Sequence, residues 1–224
     1  CSPNVLVGIS EKASGLNVGV HLHLAESKKM FKASEKKYSS SEVEFLDDIG
    51  FLKGHVLAAH CINLSSKDMH ILFKRSVNVV YVPVANMKLG LGAARIKDLS
   101  DLGLNVGLGT DGPASNNALD MFETAKIAAL LQKLTYHDPT VLPVYEVLKM
   151  ATINGAQALG LEERIGSLDV GKRADIILVD ISKPHLKPLH DIYAGIVYTV
   201  HGSDVDAVIV DGKILMENRQ VKTL

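Results

Sequence analysis

Hydrophobic and polar positions in this chain follow two periods, and the switches between them outline the fold. Pro3 to Gly15 reads as a helix, with Ser2 as its cap and Pro3 in its first turn. Val18 to Leu24 then alternates as a strand, which puts His21 and His23 on one face and Val20, Leu22 and Leu24 on the other. A second strand runs from His55 to Cys61, where alternation would turn His60 and Cys61 to opposite faces, so that they cannot both touch one ligand. Ser65 to Arg75 predicts a helix capped by Ser65 or Ser66, with Asp68 in the first turn. Val77 to Val82 is a third strand, closed by Pro83, and Ala93 to Leu102 a helix stopped by Gly103. Asn105 to Thr110 is the fourth strand. Leu119 to Leu134 is the longest helix, with Phe122, Ala125, Ala128 and Ala129 at core spacing. Strands alternating with helices imply βαβ crossovers and a parallel sheet, an α/β class.

The texture changes after two short helices, Val144 to Met150 and Ala151 to Leu159. From Ile165 onward the apolar runs are brief, as in Ile176 to Val179 and Val205 to Val210, and Asp211-Gly212 gives a hairpin signal. No helix of comparable length is expected there. The boundary is placed near 161–166, dividing a domain of residues 1–163 from a small β subdomain of residues 164–224.

Composition narrows the classes. The 224 residues are 47% hydrophobic, ample for a large core, and the formal net charge of −1 gives no electrostatic case for nucleic acid or an anionic membrane surface. No apolar run reaches the roughly 20 residues needed to span a bilayer, and no basic-then-apolar leader is visible. Two cysteines, Cys1 and Cys61, make no disulfide framework, which fits a reducing cytoplasm. The chain opens with Cys1-Ser-Pro-Asn rather than Met, as a processed or truncated product would.

The chemistry gathers at strand ends. Asp111 follows the fourth strand in Gly107-Leu-Gly-Thr-Asp-Gly-Pro-Ala-Ser-Asn-Asn117, and a carboxylate in a loop opening a helix is where α/β barrels keep their active sites. Ordinary turn chemistry explains an isolated Asp-Gly equally well. The first strand offers His23 and Glu26, and the second offers His60. A lone strand histidine is more often a core residue. Imidazole and carboxylate at successive strand ends are, together, the ligand types of a catalytic zinc.

His21-Leu-His-Leu-Ala-Glu26, Leu57-Ala-Ala-His60-Cys, Gly107 to Asn117 with Leu119-Asp-Met-Phe, Ala151-Thr-Ile-Asn-Gly-Ala156 and Gly166-Ser-Leu-Asp-Val-Gly-Lys-Arg-Ala-Asp175 resemble the amidohydrolase superfamily. Within it they are most similar to 5-methylthioadenosine/S-adenosylhomocysteine deaminases and related chlorohydrolases. The resemblance covers essentially the whole chain. It implies a (β/α)8 TIM-type barrel with a β-sandwich built from both ends of the polypeptide. It also implies one zinc ion, with His23 and Asp111 among its ligands, and hydrolytic deamination of an adenosine-type substrate. By the same resemblance Asp111 takes a proton from the attacking water and Glu26 protonates the purine ring. His60 stands at the leaving group, and Ser115 contacts the substrate tail.

His21-Leu-His23 is not the family's strand-one His-x-His pair. A barrel of eight βα units takes about 250 residues, so the interval from His23 to Asp111 holds three steps and not seven. His21 is therefore expected to point inward in a packing or supporting role. The same spacing makes this chain the C-terminal half of a barrel, strands five to eight, plus the C-terminal part of the sandwich. The strand-one ligands have no candidate here, and half a barrel leaves two sheet edges open. Either an N-terminal half is missing or another chain, as in a homo-oligomer, supplies it. Strand seven departs from the family at Tyr81 and Ala85, while Pro83, Asn86, Lys88 and Leu89 match it. Other amidohydrolase activities, such as guanine deamination or triazine dechlorination, stay open. So does a non-catalytic remnant or assembly subunit that holds zinc weakly.

Overall fold

The structure is a computed structural model that describes residues 1–223. By internal contacts the chain forms two compact units, Cys1–Gly107 and the part from Leu108 onward. The first contains α1 (Pro3–Gly15), β1 (Val20–Leu24), α2 (Lys28–Tyr38), α3 (Glu42–Asp48), β2 (Val56–His60), α4 (Ser66–Lys74), β3 (Asn78–Tyr81), α5 (Pro83–Lys88) and α6 (Ile96–Asp101). The division falls inside β4 (Val106–Leu108).

The sheet order is β1-β2-β3-β4, with β1 parallel to β2 and β2 parallel to β3. Register sets Leu24 opposite His60 and His23 opposite Ala59. All five residues of β2 are buried, as an inner strand covered on both faces requires, and this explains its apolar run up to His60. β1 is half-buried. Leu24 is covered, whereas His21 and His23 are exposed on their shared face. His21, expected in a packing or supporting role, lies on that exposed face.

Two serines start the helices behind this sheet. Ser41 and Ser65 each form a capping box, with Glu44 and Asp68. The Asp68 carboxylate is buried and accepts hydrogen bonds from the Ser65 hydroxyl (2.7 Å), the Ser65 N–H (2.8 Å) and the Ser41 hydroxyl. One side chain thus ties the beginnings of α3 and α4 together. The sequence reading assigns no element to α2 or α3. Lys28 to Tyr38 is mostly polar, with Ser34 its buried residue, and its start is set by Ser27, whose side chain accepts the Met30 N–H. At α1 the expected cap is not made: Ser2 is extended, but its side chain bonds no helix N–H. Gly103 does close α6. Its φ is +87°, and an added Cβ would sit 3.3 Å from the Phe73 ring, so both backbone and space call for glycine.

The second unit holds α7 (Pro113–Asn116), α8 (Met121–Tyr136), α9 (Val144–Ala151), α10 (Ile153–Ala158), β5 (Ile176–Val179), α11 (Ile192–Tyr198), β6 (Val205–Val210), β7 (Lys213–Glu217) and β8 (Gln220–Val221). Asp120 caps α8, accepting from the N–H groups of Phe122 and Glu123. Ala125, Ala128 and Ala129 are core, as their spacing predicts, and Phe122 is half-buried. Strands β5 to β8 form an antiparallel sheet in sequential order. Its two hairpins turn at Asp211-Gly212 and Asn218-Arg219, all four residues with positive φ, as two-residue hairpin turns require. The expectation of no comparable helix beyond Ile165 is corrected by α11. It has seven residues against eight in α9, and it packs on α8 and α9. Its Asp191 cap bonds the Ala194 N–H at 2.8 Å. Among the described residues no helix is long and apolar enough to cross a membrane.

Candidate active site

The carboxyl ends of β1 and β2 leave regular strand geometry together. Ala25, His60 and Cys61 all have positive φ, at +51°, +75° and +51°. A left-handed conformation costs a non-glycine residue roughly 1–2 kcal/mol. Hydrogen bonds between the two ends offset it. The Cys61 N–H donates to the Leu24 carbonyl at 3.0 Å, and the Ile62 and Asn63 N–H groups donate to the Ala25 carbonyl at 3.1 and 2.9 Å. The Ala25 N–H donates to Glu42 Oε2 at 3.1 Å. This departure also removes the basis for the alternation expected at His60 and Cys61, since neither residue is extended. Cys61 still stands outside the chemistry. It is buried, its thiol lies 3.8 Å from the Ala58 carbonyl, and burial pushes its pKa up to about 12.

His60 is the centre of the cluster. Its imidazole is 1% exposed, and Nδ1 lies 2.8 Å from Oδ1 of Asn86, itself completely buried at α5. A carbonyl oxygen accepts only, so Nδ1 carries a proton, and in the neutral imidazole Nε2 presents a lone pair. That Nε2 is buried and has no hydrogen-bond partner. Glu26 Oε1 stands 3.9 Å from it, and the His23 ring stacks on His60 at 5.1 Å between centroids. Burial, then the nearby imidazoles of His23 and His60, hold the His21 pKa below the usual histidine value. The three residues expected from the first two strands, His23, Glu26 and His60, are thus brought together.

Asp111 and Ser115 belong to the second unit, in the turn that β4 enters. Asp111 has a φ of +63°, and its Oδ1 accepts the Gly112 N–H at 2.8 Å. Asn116, buried, donates from Nδ2 to the Thr110 carbonyl at 2.7 Å and closes the loop. The Ser115 hydroxyl donates to the Gly112 carbonyl at 3.1 Å and keeps lone pairs for a further partner. Asn86 enters the sequence reading only as a pattern match, and Glu42 does not enter it. Neither carries a local signal, because each acts across a gap of many residues. Tyr81 and Ala85 are both fully buried, so each packs instead of presenting a surface.

As a metal centre the set is incomplete. The donor types, imidazole with a bare nitrogen and carboxylate, suit zinc. Yet among the described residues no three His, Cys, Asp or Glu side chains are grouped to hold an ion. The number of donors falls short, not their chemistry.

Known proteins resemble this chain along its whole length. The 5-methylthioadenosine/S-adenosylhomocysteine deaminase of Moorella thermoacetica is 48% identical over 224 residues, covering 100% of this chain and 52% of that protein. The 5'-deoxyadenosine deaminase of Methanosarcina acetivorans is 48% identical over 221 residues, covering 99% and 51%. A crystal structure of an adenosine deaminase from Xanthomonas campestris with bound zinc superposes with a TM-score of 0.97 at 34% identity, covering 100% of this chain and 51% of that one. The chain therefore spans about half the length of the curated relatives it matches. The Amidohydrolase family matches residues 1–215, and the chain belongs to that family.

Proposed function

We propose that this chain is the C-terminal half of a zinc-dependent aminohydrolase that deaminates an adenosine-type substrate, of the 5-methylthioadenosine or S-adenosylhomocysteine kind. The observation that carries the reading is the buried, unpartnered Nε2 of His60 with Glu26 beside it. A bare buried nitrogen lacks a partner worth about 1–3 kcal/mol, a deficit that a bound ligand removes. In this reading β1 to β4 are strands five to eight of a (β/α)8 barrel, residues 1–163 form the half-barrel, and residues 164–224 form part of the sandwich. His23 and Asp111 are ligands of one zinc ion, whose remaining ligands come from an N-terminal half on the same polypeptide or a second chain. The protein works in the cytoplasm. The family names of its relatives and the zinc in a similar structure support this reading.

Zinc, when bound, supplies an activated water. Asp111 accepts a proton from the attacking water. Glu26 hands a proton to the ring nitrogen next to the carbon under attack. Asp111 then returns that proton to the amino group, which leaves as ammonia, and Glu26 recovers a proton from the hydroxyl as the carbonyl forms. His60, its tautomer fixed by Asn86, accepts a hydrogen bond from the amino group at Nε2, and Ser115 holds the substrate tail. Such positioned proton transfers contribute about 10²–10⁴-fold each.

The test is turnover of 5-methylthioadenosine with zinc present, for this chain alone and for a polypeptide carrying both halves. The chain alone is expected to be inactive and the two-half protein active. In the latter Asp111→Ala abolishes activity and Glu26→Gln nearly does. Turnover by the isolated chain, or normal rates in either variant, would overturn the assignment. A second reading, a non-catalytic assembly subunit, is favoured by the incomplete donor set. It predicts no turnover in either form.

A further inference from the structure

The geometry points to Glu42 as a positioning residue that aims Glu26, acting through the backbone of Ala25. The inference rests on the reading of Glu26 as the proton donor. Glu42 is the first residue of α3, 16 positions beyond Glu26 in sequence, yet its Oε2 accepts the Ala25 N–H at 3.1 Å. Ala25 is held from both sides. Its N–H meets Glu42, and its carbonyl accepts the N–H groups of Ile62 and Asn63 and, at 3.4 Å, the Asn63 side-chain amide. The residue is 2% exposed and left-handed, a conformation alanine does not keep without such constraint. Glu26 leaves the chain at the next Cα, so the φ and ψ of Ala25 set the direction in which its carboxylate approaches His60.

The carboxylate of Glu42 is placed for this task at some expense. Burial raises its pKa, the proximity of Glu26 adds to that, and only the Ala25 N–H works the other way. Its charge also reaches the thiol of Cys61, the residue after His60. Glu42 therefore lies close to both strand ends at once. A residue that served only to begin α3 would need neither contact, because Ser41 already caps that helix through its own box with Glu44.

Three variants separate aiming from stability. Glu42→Gln keeps an oxygen for the Ala25 N–H, Glu42→Ala removes it, and Glu42→Asp keeps the charge but falls one methylene short. In this chain, amide exchange at Ala25 is expected to quicken about tenfold or more in Glu42→Ala and Glu42→Asp, as loss of one hydrogen bond worth about 1.4 kcal/mol implies, and to stay unchanged in Glu42→Gln. The Cys61 amide, bonded to Leu24, stays protected throughout. In the zinc-loaded two-half protein, kcat is expected to fall about 10²-fold in Glu42→Ala and Glu42→Asp with KM within about threefold, and Glu42→Gln to restore it, because misplacing a reacting group by about 1 Å has that effect. Equal Ala25 exchange in parent and Glu42→Ala overturns the inference, and so does an active parent whose Glu42→Ala keeps its kcat. An inactive parent speaks against the deaminase reading, and Ala25 exchange still decides the positioning contact. If Glu42→Ala does not fold, Glu42→Asp against Glu42→Gln carries both readouts.

Discussion

Two buried polar centres, one in each unit, have opposite bookkeeping. Asp204, in the second unit, is completely buried and fully satisfied. It accepts from Lys183 Nζ at 2.7 Å, His185 Nε2 at 2.9 Å and the His201 N–H at 2.9 Å. His60, in the first unit, is as deeply buried, but it has one nitrogen tied to Asn86 and the other bare. A closed network adds stability and fixes a loop. An open one leaves a deficit that a ligand can fill. Burial of a polar side chain therefore does not mark function by itself, and neither does an orphaned atom, since Ser34 and Glu162 also bury one; His60 stands apart because its bare nitrogen has Glu26 and His23 beside it.

The comparison is tested first where the effect is largest. His60→Asn keeps a donor for Asn86 but deletes Nε2. In the two-half protein activity should fall by about 10²–10⁴-fold while the melting temperature hardly moves. A large loss of stability would place His60 with Asp204 as a structural centre. Asp204→Asn should do the reverse, lowering unfolding free energy by about 2–3 kcal/mol in denaturant titration and leaving turnover per folded molecule unchanged.

That centre also has a pH signature. Burial opposes ionisation of Asp204, but the hydrogen bonds from Lys183, His185 and the His201 N–H outweigh it and hold the carboxyl well below the usual carboxylate range. Below about pH 4 the unfolded carboxyl binds a proton that the folded one refuses. The stabilisation is therefore complete above that range and is lost as pH falls. The parent should lose stability faster than Asp204→Asn between about pH 4 and pH 2, and parallel curves would refute the assignment.

Asn86→Ala comes next, with about 10–100-fold less activity expected as the His60 tautomer is freed, and a change in the histidine ¹⁵N shifts that reports it. The smallest effect concerns backbone. Gly212→Ala, in an exposed hairpin at φ +75°, should cost about 1 kcal/mol. Ala25→Gly, by contrast, relieves left-handed strain in the first unit, and any gain should come with lower activity as the hold on Glu26 loosens.

Much of the frame was legible in the residues. The strands expected at Val18 to Leu24 and His55 to Cys61 and the Asp-Gly hairpin follow from local periodicity, and all three are found, the two strands shorter, as Val20–Leu24 and Val56–His60. Helix α2 was not legible, since its sequence is mostly polar, and α11 was hidden between strands because its contacts lie on α8 and α9. Among the candidate site residues, His23, Glu26 and His60 announced themselves as polar residues at strand ends, and they do come together. Asn86 and Glu42 did not, being 26 and 17 residues from the groups they hold.

The sequence by itself determined where strands and helices alternate, the Asp-Gly hairpin and the residue types that end each strand, because these depend on neighbours within a few positions, and motifs spread along the chain carried the family. Only tertiary structure decided that the strands end in left-handed turns, that one imidazole nitrogen is occupied and the other bare, and that Ala25 is held by a carboxylate from another helix. Those outcomes depend on contacts between distant segments, and no local pattern encodes them.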